Sequence, residues 1–424
     1  MKVLSTRPYR FALLLSLYLV QGLPYGFQVK VLPLFMAQRG TSNTAIGFIG
    51  ALALPWLFKA LWAPLVDRYG SARFGRRKSW ILPLQLLLVG AALAGAEAAE
   101  RGALVPLLGV ILVMNLIAAT QDIAVDGLAV DILGREELGA GNTAQVAGYK
   151  VGMLLSGGAL LALQDHIGWS GIFVGMALIT ASSALLLVPF PEPPPAGAPP
   201  PVLRSLKDAL MVPGTGWLLA LVGTYKLGET MMDVMLKPFL LKVGGYAPAQ
   251  LGLWLGTYAM LFSIAGSAAG GLLATTRLQL LRSVELTAVL RVFPLLGVLA
   301  LSLAPLSDGR VIATLCAEHF FAGALTTAMF AYMMSRVDRR IGATHYTLLA
   351  TVEVLGKSPG GWTSGIIADR FGFPAVFATA AALSVAYLVL FPLMRLRSSP
   401  GWRGPAPTAA GASPEPDSPT PASR

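Results

Sequence analysis

Residues Gln121 to Asp131 read Gln-Asp-Ile-Ala-Val-Asp-Gly-Leu-Ala-Val-Asp, and they continue a run from Leu104 to Thr120 that is apolar apart from Asn115. Asp122 and Asp126 are four residues apart and share one helix face, while Asp131 is turned away near the end of the run. An ionised carboxylate in hydrocarbon costs at least about 2.5 to 3.5 kcal/mol, so such residues face protein or a watery cavity and mark a pathway. The chemistry open to them is proton binding and ion pairing with a cationic group.

Further charges stand in other apolar runs. Lys226, Glu229, Asp233 and Lys237 are spaced by three, four and four residues and form one polar stripe. They either contact a solute and protons or satisfy one another at helical spacing. Glu353 and Lys357 are again four apart, and Glu318 with His319 is a candidate proton pair or a structural one. Gln21 and Tyr25, one turn apart, are expected to line a cavity. At 1.5 Å per residue, Asp126 lies roughly 10 Å and Asp122 roughly 16 Å above the inner boundary, with Lys150 roughly 12 Å in. That level predicts a Lys150–Asp126 pair, leaving Asp122 for a proton or a cationic group. Lys30, Lys59, Lys150, Lys226, Lys237 and Lys357 face Asp122, Asp126, Glu229, Asp233, Glu318 and Glu353. This balance argues against a large multiply anionic cargo, although pairing can hide a local surplus. Gly356-Lys357-Ser358 is not a phosphate loop, because Thr351 stands where its first glycine belongs.

Membrane-spanning helices must position these groups. Hydrophobic residues make up 55% of the 424 and charged residues 12%, against about 25% charged in a soluble domain. A span needs about 20 apolar residues. Apolar segments fall at 11–36, 44–66, 79–97, 103–132, 143–163 and 168–190, and again at 214–242, 248–275, 285–305, 310–335, 344–368 and 373–394. The fold class is therefore all-α integral membrane, with twelve transmembrane helices in two pseudo-symmetric six-helix bundles. Residues 1–190 form the first bundle and 213–396 the second. The stretch 191–212, opened by the proline-rich Pro191 to Pro201, is a cytoplasmic linker. Residues 397–424, rich in Pro, Ala and Ser, are expected to be a disordered cytoplasmic tail. The first run follows basic residues as a signal peptide does, but it continues past Pro24 without a small-residue cleavage site, so it reads as a retained span.

The net charge of +11 comes from basic residues in short connections, without a nucleic-acid-binding helix or patch, and the positive-inside bias explains it. Its asymmetry puts both termini in the cytoplasm. A lone Cys316 excludes an internal disulfide framework, and His166, His319 and His345 lack metal-ligand spacing. No cofactor is expected. The halves repeat: a shift of 205 places Pro33 on Pro238, Gly40 on Gly245 and Gly47 on Gly252. Duplicated six-helix units are a plan of secondary transporters, with the site between the halves near mid-membrane. Gly152, Ser156, Gly157, Gly361 and Gly365 allow close helix approach, either as plain packing or at an interface between rocking halves.

The connection Asp67-Arg68-Tyr69-Gly70-Ser71-Ala72-Arg73-Phe74-Gly75-Arg76-Arg77-Lys78 resembles the signature loop of the major facilitator superfamily, Gly-x-x-x-Asp-Arg-x-Gly-Arg-Arg. It departs in having Ala63 at the first glycine position and an insertion before Gly75. The resemblance implies that Asp67, Arg68, Gly75, Arg76 and Arg77 brace the inner face when the carrier is open outward. Phe58 to Arg68, Phe74 to Arg77, Gln121 to Asp126 and Gly148 to Gly158 resemble the branch of the AmpG muropeptide permease and the acetyl-coenzyme A transporter. Gln21 to Gly26, Thr344 to Thr351 and Leu355 to Lys357 resemble most an orphan animal member of that branch.

These readings lead to a secondary active transporter working by alternating access. Its partners are a small-molecule substrate of acyl-coenzyme A-like or muropeptide-like kind, the lipid bilayer and protons, carried on Asp122 or Glu229. A monomer is expected, in a bacterial inner membrane or a eukaryotic cell or organelle membrane. An enzyme would need a nucleophile with a base or a metal cluster, and neither spacing is present. A non-transporting or lipid-handling member of the fold remains the alternative.

Overall fold

A computed structural model describes residues 6–41, 48–71, 73–194, 201–212, 214–275 and 279–397. Gly47, Arg277 and the expected tail beyond 397 lie outside the described residues. Eight helical segments are long and apolar enough to cross a membrane. They are Arg7–Gln38 (α1), Lys78–Glu100 (α3), Leu104–Ile132 (α4), Gln164–Leu187 (α6), Gln250–Thr275 (α8), Leu280–Leu303 (α9), Asp308–Ser335 (α10) and Arg339–Arg395. The last contains two passes, 342–371 (α11) and 373–397 (α12), because Gly372 takes φ 81°, which breaks the helix. The remaining crossings are interrupted helices at 48–68 (α2), 138–162 (α5) and 215–242 (α7). At 1.5 Å per residue, even the 23 residues of α3 reach about 35 Å, past the roughly 30 Å hydrocarbon core. The chain is an all-α, twelve-helix membrane protein.

The internal repeat is visible in the backbone. Gly40 and Gly245 both close the first turn of their half in the left-handed region, at φ 69° and 66°. Gly168 and Gly372 do the same between the fifth and sixth helices of each half, at φ 70° and 81°. Packing repeats too: α1 lies on α5, and α7 on α11. A side chain at Gly152 would collide with the Leu19 carbonyl of α1, and one at Gly356 with the Gly223 carbonyl of α7. Of the two readings of Gly152 and Gly361, the contacts are those of plain packing within one half. Gly152 packs within its own half, and Gly361 faces Thr230 and Val234 of α7 at 3.7 Å.

The apolar contact between the halves is concentrated at one end. One apolar core joins Leu13, Val130 and Leu138 of the first half to Leu218, Met333, Tyr346 and Phe391 of the second. Toward the opposite end each half has a core of its own, around Phe27, Leu107 and Phe173 in one and Phe239, Trp254 and Val298 in the other. The joined end carries the 67–78 connection and is called the gate face. The first and last described helices have their outer ends there: Arg10 donates to the Ile132 carbonyl at 2.7 Å, and Arg395 pairs with Glu285. The linker helix Val202–Leu210 packs there against α2, α7 and α11.

Candidate functional site

The candidate gate is a cluster of charges at three helix ends. Asp67 stands in the last turn of α2, Arg77 just before α3 and Asp131 at the end of α4. The Arg77 guanidinium lies 2.9 Å from Asp67 and 2.9 Å from Asp131, and Arg76 reaches Asp131 at 3.2 Å. Neither the Arg77 nor the Asp67 side chain is exposed (0%). Asp67 also closes the seam between the halves, accepting the N–H of Thr344 at 2.7 Å and of Ala343 at 3.3 Å. These are first-turn donors of α11, which lack partners within their own helix and carry the positive end of its dipole. Arg339 adds a donation to the Leu133 carbonyl at 2.6 Å.

Gly75 serves the gate through a neighbour. Its φ is 97°, and a side chain there would collide with Glu192. Glu192 accepts the N–H of Arg77 at 2.7 Å and of Lys78 at 2.9 Å. Burial pushes the Glu192 carboxyl above its ordinary value, against the opposing pull of those two N–H bonds. The expected role of Arg68 is corrected. Its side chain is exposed and meets the Tyr69 ring at 5.8 Å, since adjacent helical residues point about 100° apart. Asp131, read from the sequence only as a boundary residue, is the gate's third member.

A second closure brings α5 onto α8. Thr143 donates to the Ser267 carbonyl at 3.1 Å. A side chain at Gly139 would collide with the Gly271 carbonyl, and one at Gly271 with Thr143. The backbones touch because both positions are glycine.

Above the gate, the first half holds two buried acids in different surroundings. Asp122 is ion-paired with Lys59, which a 3₁₀ turn of α2 presents to α4. Asp126 has neutral donors, the Tyr18 hydroxyl at 2.7 Å and the Gln145 amide at 3.2 Å. Tyr346 of α11 donates to Gln145 at 3.3 Å and extends this chain into the second half. The expected Lys150–Asp126 pair is absent. Lys150 donates instead to the Ser263 hydroxyl on α8. Depth put the two groups level, but Gln145 and Lys150 are about 140° apart around α5. The face that offers Gln145 to Asp126 turns Lys150 toward the other half. Gln21, expected beside a cavity, is enclosed at 1% exposure and its amide has no partner. Tyr25 packs on Tyr149 at 6.0 Å.

In the second half the polar stripe does not pair along its own helix. Lys226, where α7 breaks, reaches Glu353 on α11 at 3.3 Å, and Lys357 reaches the same oxygen at 3.3 Å. One carboxylate between two ammonium groups holds both but leaves the trio with a net positive charge. Glu229 instead lies 3.5 Å from Arg291 of α9. Arg291 also pairs with Glu318 and donates to its carbonyl at 3.0 Å, while His319 contacts the other oxygen of Glu318. Sequence reasoning missed Arg291, and the available signal was a lone arginine inside an apolar run. With Arg291 added, the six-against-six tally no longer balances.

Known proteins share this plan. The Acatn family, described as acetyl-coenzyme A transporter 1, matches residues 10–168. The anhydromuropeptide permease of Escherichia coli (strain K12) is 30% identical over 396 residues, covering 91% of this chain and 80% of the permease. The putative transporter AmpG 4 of Rickettsia felis is 23% identical over 402 residues, covering 91% and 97%. Among solved structures, the fold is similar to FucP, a major facilitator superfamily transporter in the outward conformation. That match has TM-score 0.70 and 16% identity over 93% of this chain and 100% of the other. A bacterial homologue of the iron transporter ferroportin, in its outward-facing state, also gives TM-score 0.70, at 15% identity over 92% and 100%. The gate, the twelve-helix plan and a 30%-identical relative spanning nine-tenths of the sequence lead to one assignment: the chain belongs to the major facilitator superfamily, in the branch of the AmpG anhydromuropeptide permease and the acetyl-coenzyme A transporter.

Proposed function

We propose that this transporter is a proton-coupled carrier that moves a muropeptide-like solute by alternating access between its two six-helix halves. The observation that carries the coupling is the buried Lys59–Asp122 pair. Protonating Asp122 leaves the Lys59 charge without its partner, and an uncompensated buried charge costs several kcal/mol. Lys59 can relieve that cost by turning to other anions, because the charges of Asp126 and of Glu353, across in the second half, act on it. A proton arriving at Asp122 thus biases how the halves face each other, and the Asp67 latch to α11 is the contact that must open. The gate face is the cytoplasmic one in this reading, with both termini inside.

Cargo of the muropeptide kind is supported by the extent of likeness to the anhydromuropeptide permease, which runs through both halves. The acetyl-coenzyme A transporter likeness stops at residue 168. The test is uptake of a labelled anhydromuropeptide into proteoliposomes under an imposed pH gradient. Wild type should accumulate it only with the gradient. Asp122→Asn should lose that accumulation while still exchanging external for internal cargo, and gradient-driven accumulation unchanged in Asp122→Asn removes Asp122 from the mechanism.

A further inference from the structure

Near the seam between the halves, lysines outnumber the acids in direct contact with them. Lys226 and Lys357 share a single carboxylate oxygen of Glu353. Among the described residues Lys150 hydrogen-bonds only the Ser263 hydroxyl, reached across the α5–α8 seam. Lys226, Glu229 and Glu318 act on it through space, and Glu353 joins Lys226 to Lys357. Asp122 pairs with Lys59, Glu229 and Glu318 with Arg291, and Asp126 with Tyr18 and Gln145, while Asp233 and Glu229 act on Lys226 without touching it.

Exposure separates this group from the structural pairs. Arg291 is 2% exposed and Glu353 5%, whereas the Lys226 side chain is 14% and the Lys357 side chain 32% exposed. The two lysine side chains are thus more open than the carboxylate between them. Burying like charges together is costly unless enough anions join them, and Glu353 supplies a single negative charge for two lysines.

We propose that Lys150, Lys226 and Lys357 form a subsite for a doubly anionic group of the cargo, either a pair of carboxylates or a phosphate, with Glu353 as the fixed internal anion that spaces the lysines. This rests on the reading of the chain as a carrier of muropeptide-like solutes and adds where the acidic end of such a solute is held. Because Lys150 belongs to the first half and the other two to the second, a bound dianion would bridge the halves.

The test is equilibrium binding to the purified full chain of three probes: an anhydromuramyl peptide with two free carboxylates, the same peptide with both amidated, and coenzyme A. The acidic peptide should bind at least about tenfold more tightly than the amidated one, as charge-assisted contacts predict. Lys150→Met and Lys357→Met should each lose about tenfold for the acidic probe and nothing for the amidated one. Lys150→Arg and Lys357→Arg, which keep the charge, should retain most of the preference, and Glu353→Gln should tighten acidic binding. Coenzyme A binding with the same lysine dependence supports the subsite and assigns its anion to phosphate. Equal binding of acidic and amidated peptide, or lysine variants that weaken both alike, overturns the subsite and leaves the carrier reading standing. Binding of none of the three overturns the cargo reading together with the subsite.

Discussion

Arg77 and Asp67 meet at 2.9 Å with neither side chain reached by solvent. Because Asp131 holds the same guanidinium, removing Arg77 leaves buried Asp67 with main-chain donors alone and Asp131 with Arg76 alone. Arg77→Met should destabilise the protein by roughly 3–5 kcal/mol, read as a large fall in unfolding temperature. It should also open the gate face, read as faster thiol labelling of a cysteine placed at Ala343. Lysine cannot supply both arms of the fork, so Arg77→Lys should recover less than half of the loss.

The Lys59–Asp122 pair is expected to behave as a unit. Lys59→Met alone leaves a buried carboxylate and Asp122→Asn alone leaves a buried ammonium, so each should cost about 3–5 kcal/mol. The double variant Lys59→Met/Asp122→Asn should cost less than the sum of the two by at least about 1 kcal/mol. A double-variant cycle from thermal unfolding checks this, and additivity would mean that the pair does not form.

Contact between α5 and α8 depends on Gly139 and Gly271, where any side chain collides with the facing helix. Gly271→Val should therefore block closure of the gate face without breaking either half. Uptake should fall at least about tenfold, while labelling from the gate face rises and the unfolding temperature changes little. A variant that transports normally would show that this closure is dispensable.

Asp338 gives a pH dependence outside the membrane. Burial alone would raise its carboxyl, but hydrogen bonds from the Arg340 guanidinium and backbone outweigh that and hold it below the ordinary 3.8. A depressed value contributes stability above the unfolded pKa and loses it as pH falls through the folded one. Asp338→Asn should thus unfold roughly 1–2 °C lower than wild type at neutral pH, as suits a partly exposed pair. The two curves should converge only below about pH 3.8.

Helix number, the duplication and the acid and base at the end of α2 and before α3 were legible because they rest on local patterns: run length, a repeated turn glycine and adjacent charges at a helix end. Direction around a helix was not. Depth along the axis set Lys150 level with Asp126, and only the packing of α5 shows that Gln145 takes that acid while Lys150 turns to Ser263. The same limit misassigned Arg68 and left Asp131 out of the gate. Arg291 was hidden for another reason: its partners Glu229 and Glu318 come from α7 and α10, so nothing near it in the chain announces the cluster.

The latch between the halves is written asymmetrically. Asp67 supplies a carboxylate, but Ala343 and Thr344 answer with main-chain N–H groups. The receiving side is therefore insensitive to most genetic change: any residue except proline keeps the donors as long as α11 begins where it does. The opposing side has no such redundancy, since no shorter or uncharged side chain reproduces two acceptor oxygens at that reach. Drift in this protein should leave position 67 fixed while positions 343 and 344 wander. Thr344→Pro, whose ring the first turn of a helix tolerates, is the rare single change that would remove the shorter of the two donations from the far side.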